Sequence, residues 1–191
     1  MSRFICAGLI FVFLTFGAVQ FKGVTTDVKT VNLYFHFIVP KATDIQNYRD
    51  VLATQIEMLN ESMPNHRIKF VVAGYNIRIS QRLYSQITGS SALTDMRFEM
   101  NVPGAINIYT IGDMSLIEGI LGEKMNNGDI LIYGRAPSMV VVHEVGHSLG
   151  LNHVNIYRGC NDVMNPIMMP DVCTQFSATE EQQMVEYLGG Y

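Results

Sequence analysis

The first regular pattern in the chain is an alternation of apolar and polar residues over 29–39. Side chains in a strand point alternately to opposite faces, so this segment is predicted to be a half-buried β-strand. The polar face includes Asn32 and His36. The apolar face consists of Val31, Leu33, Phe35, Phe37 and Val39.

A helical period follows the strand. Apolar residues recur at spacings of three and four, which predicts an amphipathic helix that starts at a capping box of Thr43 and Gln46. Pro64 and Asn65 are expected to end this helix. Its apolar positions are Ile45, Tyr48, Leu52, Ile56, Leu59 and Met63.

Shorter apolar runs in the middle of the chain predict the remaining strands. A last helix is expected to begin at Ser177, which forms a capping box with Glu180, and to end at the glycine pair after residue 188. This order of elements favours an α/β or α+β sandwich. The predicted strands cover 68–73, 105–111 and 129–133, with a possible edge strand near 117–121.

The composition indicates a single globular domain. The chain has 191 residues, of which 48% are apolar and 16% charged, and this balance argues against disorder. The net charge is −4 and there is no basic block, so nucleic acid is not an expected partner. We draw no domain boundary within 21–191.

The N-terminus has the pattern of an export signal. Arg3 precedes an apolar stretch at 4–19, which is shorter than the roughly 20 residues that a membrane-spanning helix needs. We therefore predict a signal peptide at 1–20 and a secreted protein without stable membrane insertion. The alternative is an interaction protein that keeps this segment as a membrane anchor.

The cysteines agree with export. Cys6 leaves with the signal peptide, so Cys160 and Cys173 are the pair that the mature chain keeps. The simplest interpretation of an even pair in a secreted protein is one disulfide. The alternative, a pair of metal ligands, lacks a close second partner such as C-x-x-C.

The strongest chemical signal is the sequence HEVGHSLGLNH, which starts at His143. The valines before it would suit a strand, but the histidine spacing predicts a helix over 138–149. On a helix, His143 and His147 lie on the same face and reach one metal ion. Glu144 lies about 100° round the helix, where its carboxylate reaches a water on the metal.

A third histidine requires a turn. In a continuous helix, His153 would lie about 240° round from His147 and point away from the metal. Gly150 accepts positive φ, so it is expected to end the helix and bring His153 back to the ion.

Three histidines leave one zinc position open, which is typical of a catalytic site. We predict one zinc ion that activates a water molecule, with Glu144 as general base, in peptide-bond hydrolysis without a covalent intermediate. The chance rate of the whole pattern is about one in 100,000 for such a chain. His36 and His66 are expected to be structural.

The extended motif is identified as that of the metzincin clan of zinc peptidases. That clan implies a methionine turn beneath the metal, and we favour Met168 over Met164 for it. Within the clan the chain most resembles the pappalysin family. The supporting segments are VNLYFHFI, QIEMLNES, IKFVVAG, INIYTIG and CTQFSATEEQQM, in family order over most of 29–188.

The resemblance implies a metzincin-like α+β fold. Its upper subdomain has a twisted mixed sheet and two long helices, and its small irregular lower subdomain ends in a C-terminal helix. It also implies zinc ligation by His143, His147 and His153, catalysis by Glu144 and a Cys160–Cys173 disulfide. The substrate is a protein or peptide, and the expected state is a monomer.

The chain departs from the pappalysin pattern in several places. It has fewer cysteines, a shorter segment after the zinc motif, and no tyrosine just past Met168; Tyr157 is a candidate substitute. Membership of a reprolysin-like or matrix-protease-like family is therefore the alternative. Without an evident pro-segment, the secreted protein is predicted to be active without trimming. A catalytically silent binding module on the same fold is the rival function.

Overall fold

The computed structural model describes residues 27–44, 48–85, 96, 98–111, 121–133, 136–154, 162–166 and 174–190. Within these residues the chain forms one five-stranded sheet, several helices and a 3-10 turn at Ala42–Asp44. The strands are β1 Lys29–Val39, β2 Ile68–Ile79, β3 Ile106–Ile111, β4 Gly122–Lys124 and β5 Ile130–Tyr133. The helices are α1 Tyr48–Glu61, α2 Gln81–Ser85, α3 Ser138–Ser148 and α4 Ala178–Gly189.

The sheet has the strand order β2-β1-β3-β5-β4. β1 pairs in parallel with β2 and β3, and β3 pairs in parallel with β5. β4 is the exception, because it pairs with β5 in the antiparallel direction. The mixed sheet with its helices confirms the predicted α+β class. No helix of the described part is both long and apolar enough to cross a membrane.

The sheet is buried on both faces. One face packs against α1 and α3, where the apolar face of β1 meets the valines of α3 in the larger core cluster. The other face carries a smaller cluster around Tyr109, which is fully buried. The smaller cluster consists of Ile38, Leu83, Met96, Met100, Tyr109, Ile111 and Leu131.

The second strand is longer than predicted. It runs to Ile79 rather than ending at Ala73, because a register shift opposite Leu33 and Tyr34 interrupts the alternation without ending the ladder. Gly74 follows the shift, and a Cβ at this position would lie 2.6 Å from the ring of Tyr34. The glycine therefore allows close approach inside the sheet.

The ends of the helices agree only in part with the predictions. α1 is described from Tyr48, and Thr43 lies in the preceding 3-10 turn, whereas Gln46 is outside the described residues. The capping box of Ser177 and Glu180 at the start of α4 is confirmed. The edge strand is found at Gly122–Lys124, just after the predicted segment, and residues 117–120 are not described.

The last helix is tied to the turn between α1 and β2. Glu181 is fully buried, and its carboxylate accepts hydrogen bonds from the backbone N–H groups of Asn65 and Arg67, each at 2.7 Å. His66, between them, has a φ of 52°. The carboxylate therefore holds a strained turn that joins the C-terminal helix to the sheet.

His36 has the structural role that the sequence predicted. It is fully buried, its ring stacks on Tyr109, and its two ring nitrogens lie 3.1 Å and 3.0 Å from the side-chain oxygens of Asn76 and Asn107. Burial lowers the pKa of His36, and the two amide contacts oppose this effect. The histidine thus completes a polar network inside the sheet.

Candidate functional site

The central element of the site is α3. Nine of its eleven residues are buried. The helix packs against the sheet and α1 and also against the turn that contains Met164. A helix that is apolar on nearly all sides is stable only when it is buried in this way. This tertiary contact outweighs the strand preference of its valines.

The helix ends at the predicted glycine turn. Gly150 has a φ of 89°, its N–H donates to the carbonyl of His147 at 3.1 Å, and the N–H of Leu151 donates to the carbonyl of Gly146 at 3.0 Å. These two hydrogen bonds form a Schellman motif with Gly150 at the left-handed position. The turn predicted at Gly150 is therefore confirmed.

The turn brings three histidines together. The Nε2 atoms of His143, His147 and His153 form a triangle in which each side is 3.1 Å. His143 is buried, His147 is partly buried and His153 is exposed. The three rings therefore converge from one helix and the segment after it, with one side of the triangle open to solvent.

Hydrogen bonds on the opposite ring nitrogens decide what this triangle can bind. Nδ1 of His143 lies 2.8 Å from the carbonyl oxygen of Val163, and Nδ1 of His147 lies 2.8 Å from that of Leu151. A carbonyl only accepts, so both Nδ1 atoms carry the proton and both Nε2 atoms present lone pairs. Three nitrogen lone pairs that converge at this distance repel one another, and a cation bound between them would remove this repulsion.

The donor set fits zinc. Zinc binds imidazole nitrogen at about 2.0–2.1 Å and prefers tetrahedral sites, in which ligand atoms are about 3.3 Å apart. Burial lowers the pKa of His143 to about 4. Burial, followed by the neighbouring His147, also lowers the pKa of His153. Neutral imidazoles are the form that binds metal.

Glu144 follows His143 on α3, and its side chain lies under the edge strand. It is 6% exposed, and burial raises its pKa to about 7, while a backbone hydrogen bond with Lys124 opposes the increase. The negative charge of Glu123 contributes to the increase. A Cβ on Gly122 would lie 3.0 Å from Cγ of Glu144, so the glycine lets the strand pack directly on this side chain. A carboxyl group with this pKa exchanges protons near neutral pH.

The floor of the site is a short turn at 162–166. Met164 is fully buried, and its sulfur would lie 2.5 Å from a Cβ on Gly146, the residue directly before His147. The preceding Val163 supplies the carbonyl that orients His143. Met164 thus lies beneath the metal-binding helix, and Met168, which the sequence favoured, is outside the described residues.

Sequence reasoning did not find the two backbone carbonyls that orient the histidines. The carbonyl of Leu151 follows from the glycine turn, but that of Val163 depends on folding of a distant segment. A local signal does exist, since Oδ1 of Asp162 accepts the N–H of Met164 at 2.9 Å, an Asx turn typical of Asp.

The site also contains an unpredicted pair, Tyr133 and Glu123. The Tyr133 hydroxyl donates to Oε1 of Glu123 at 2.7 Å. Burial, and then this carboxylate, raise the pKa of Tyr133. The pair lies at the edge of the sheet, on the face away from α3, and the charge of Glu123 still acts on the pKa of Glu144.

Several predicted features lie outside the described residues. These are the signal peptide at 1–20, the candidate tyrosine Tyr157 and both members of the predicted disulfide, Cys160 and Cys173. His66 is described, and it does not belong to the cluster of His143, His147 and His153. Its place is the strained turn held by Glu181.

Comparisons with known proteins agree on the fold. No protein-family model matches the chain, and no curated protein matches it in sequence. The structure is similar to that of an archaemetzincin from Methanopyrus kandleri, with a TM-score of 0.56 and 15% identity over 84% of this chain and 96% of that one.

It is also similar to metalloproteinase-II from Bacteroides fragilis, with a TM-score of 0.56 and 14% identity over 85% of this chain. The matched region spans 54% of that protein's length. These likenesses show that the chain shares the mixed α+β fold of these two metallopeptidase structures.

Proposed function

We propose that this chain is a secreted zinc-dependent endopeptidase of the metzincin type, with one zinc ion held by His143, His147 and His153. The observation that carries the proposal is the convergence of three Nε2 atoms at 3.1 Å. The buried carboxyl group of Glu144 follows the first of these histidines on the same helix. The likeness to two metallopeptidase structures supports the same reaction class.

A bound zinc ion supplies a Lewis acid that acidifies a water molecule and polarises the scissile carbonyl. Glu144 removes a proton from the attacking water and delivers it to the nitrogen of the leaving amine. Its raised pKa suits both steps, because the carboxyl group must accept and release the proton in one cycle. Val163 and Leu151 hold the histidine rings in the tautomer that binds metal.

The edge strand offers a place for the substrate backbone. β4 is the last strand in the sheet order and lies over Glu144. An extended peptide that adds to this edge would place its backbone beside the histidine triangle. Endopeptidases need such a cleft, because the substrate chain must pass through the site on both sides of the cleaved bond.

The finer assignments are part of the same proposal. Motif segments in sequence support a pappalysin-like member of the group, with Met164 as the methionine beneath the metal because of its contact with Gly146. The apolar stretch at 4–19 supports export, and the remaining cysteine pair supports a Cys160–Cys173 disulfide. Mass spectrometry of the secreted protein, with and without reduction, tests both.

The decisive experiment compares wild type with Glu144→Gln. We expect one zinc ion per chain in both proteins by mass spectrometry of the metal content, and at least a 100-fold loss of casein cleavage in the variant. Glu57→Gln is the control, because it makes the same substitution at an exposed carboxyl group on α1.

Two outcomes would contradict the proposal. Equal cleavage by wild type and Glu144→Gln would exclude the assigned role of the carboxyl group. A zinc-loaded wild-type protein that cleaves neither casein nor any member of a peptide library would instead indicate a catalytically silent binding module.

A further inference from the structure

The edge strand β4 presents a defined set of peptide groups to a partner. The N–H of Tyr133 donates to the carbonyl of Leu121 at 2.9 Å, and the N–H of Met125 donates to that of Asp129 at 2.7 Å. Peptide groups alternate in direction along an antiparallel ladder. Gly122 and Lys124 therefore turn their N–H and C=O groups away from β5, toward the outer edge. The N–H of Lys124 already donates to the carboxylate of Glu144, so the groups offered to a partner are the N–H and C=O of Gly122 and the C=O of Lys124.

The side chains of the same strand also alternate. Gly122 faces α3, because a Cβ there would lie 2.7 Å from Val140. Glu123 pairs with Leu131, whose side chain belongs to the core cluster on the other face of the sheet. The carboxylate of Glu123 is thus on the face away from the helix, and the residue is exposed.

Tyr133 fixes the direction of this carboxylate. Its hydroxyl donates to Oε1 of Glu123, and burial raises the pKa of the hydroxyl, so it is protonated and remains a donor at neutral pH. One oxygen of Glu123 is held by this hydrogen bond. An exposed carboxylate anchored in this way has lost much of the side-chain entropy that usually weakens surface ion pairs.

An added peptide strand would meet Glu123 at close range. Hydrogen bonds of an antiparallel peptide to both peptide groups of Gly122 and to the carbonyl of Lys124 put Glu123 in a non-hydrogen-bonded pair with the peptide residue opposite it. Such pairs have the shorter Cα separation, about 4.5 Å, and their side chains lie on the same face. The substrate side chain in that pair therefore lies against the Glu123 carboxylate.

We propose that Glu123 is a specificity-determining residue that selects substrates with a Lys or Arg side chain at the position paired with it across the edge. This inference rests on the proposed peptidase function and assigns a substrate class to the same site. Opposite charges in a directly paired cross-strand position attract, and like charges repel. The protein therefore discriminates against acidic residues at that position as well.

The test uses neutral ten-residue peptides in which one position at a time carries Lys, Gln or Glu. We expect one position relative to the cleaved bond at which wild type prefers Lys over Gln by about two- to fivefold in kcat/KM. Glu123→Gln should remove the preference, and Glu123→Lys should reverse it in favour of Glu. Glu57→Gln should leave the ratio unchanged.

A salt series adds a readout that a purely structural role would not change. The Lys preference should decline between 0.05 M and 0.5 M NaCl, because the ion pair is exposed and screened. Tyr133→Phe should weaken the preference without removing it, since the carboxylate remains but is no longer held.

Failure of this inference is distinguishable from failure of the peptidase proposal. If wild type cleaves peptides with no charge preference at any position, or if Glu123→Gln keeps the preference, the inference is wrong and the peptidase stands. If nothing is cleaved, the same peptides are titrated against zinc-loaded Glu144→Gln with and without Glu123→Gln. A Lys peptide that binds both proteins equally well would then overturn the inference.

Discussion

The sulfur of Met164 packs against Gly146, the residue directly before His147 on α3, and leaves no room for a Cβ there. The contact joins the turn at 162–166 to the metal-binding helix. The same turn supplies the Val163 carbonyl that orients His143. The position of the helix and the tautomer of its first histidine therefore depend on one buried contact.

Gly146→Ala tests this contact. A Cβ would lie 2.5 Å from Met164 and 2.9 Å from Phe176, so both side chains must move. We expect a loss of about 1–3 kcal/mol in unfolding free energy from overpacking, despite the roughly 1 kcal/mol that alanine gains over glycine in a helix. Urea denaturation measures this change. The double variant Gly146→Ala, Met164→Ala should show non-additive effects, and simple additivity would argue against the contact.

The turn at Gly150 offers a matched comparison with Gly128. Both residues have positive φ, 89° and 88°, but a Cβ at Gly150 would lie 2.8 Å from Tyr187, whereas no atom of the described residues lies within 4 Å of a Cβ at Gly128. Alanine at either position should cost about 1 kcal/mol for the backbone conformation alone. Gly150→Ala should lower the free energy of unfolding by more than Gly128→Ala does, because the added Cβ also meets Tyr187. Thermal denaturation of the two variants measures the difference.

The more specific readout for this pair is zinc affinity. Gly150→Ala should weaken zinc binding in competition with a chelator, because a shift of the turn moves His153, and Gly128→Ala should not. Equal zinc affinities for the two variants would show that His153 reaches its place without the glycine turn.

Glu144 makes the metal-free protein sensitive to pH. Its folded pKa is about 7, above the ordinary value of 4.5, so the folded state holds the proton more tightly than the unfolded state. This contribution to stability is complete below pH 4.5 and is lost as the pH rises to about 7. The shift corresponds to about 3 kcal/mol.

Glu144→Gln should therefore stabilise the EDTA-treated protein at pH 8 by as much as about 3 kcal/mol and have little effect at pH 4. Urea denaturation at the two pH values gives the comparison, with Glu57→Gln as the exposed control. A variant that is equally stabilised at both pH values would show that the effect is not the ionisation of this carboxyl group.

Glu181 should be the carboxylate with the largest structural effect on α4. It accepts two backbone N–H groups of the turn around His66, and charged hydrogen bonds contribute about 1.5–3 kcal/mol each. We expect Glu181→Ala to cost about 3 kcal/mol or more by chemical denaturation. The exposed Glu186→Ala, on the same helix, should cost less than about 0.5 kcal/mol. Similar losses of stability in the two variants would show that the hydrogen bonds of Glu181 to the turn around His66 do not contribute as proposed.

Local patterns were enough to predict much of the framework. Alternation predicts β1, the helical period predicts α1, and the box of Ser177 and Glu180 fixes the start of α4, because each depends on neighbours within a few residues. The extension of β2 beyond Ala73 could not be predicted in this way. Its alternation is broken by a bulge that only the pairing with β1 makes favourable.

The histidine spacing and Gly150 determined by themselves that two imidazoles on a helix meet a third from the segment after it. Helical geometry and a glycine in the left-handed conformation permit few other arrangements. The tertiary structure alone decided what surrounds them. Val163 orients His143, Met164 packs against the helix, and Glu123 on the edge strand contributes to the raised pKa of Glu144 on α3. These contacts join segments far apart in the chain, and the free energy that selects them comes from packing of the whole domain, which no local pattern encodes.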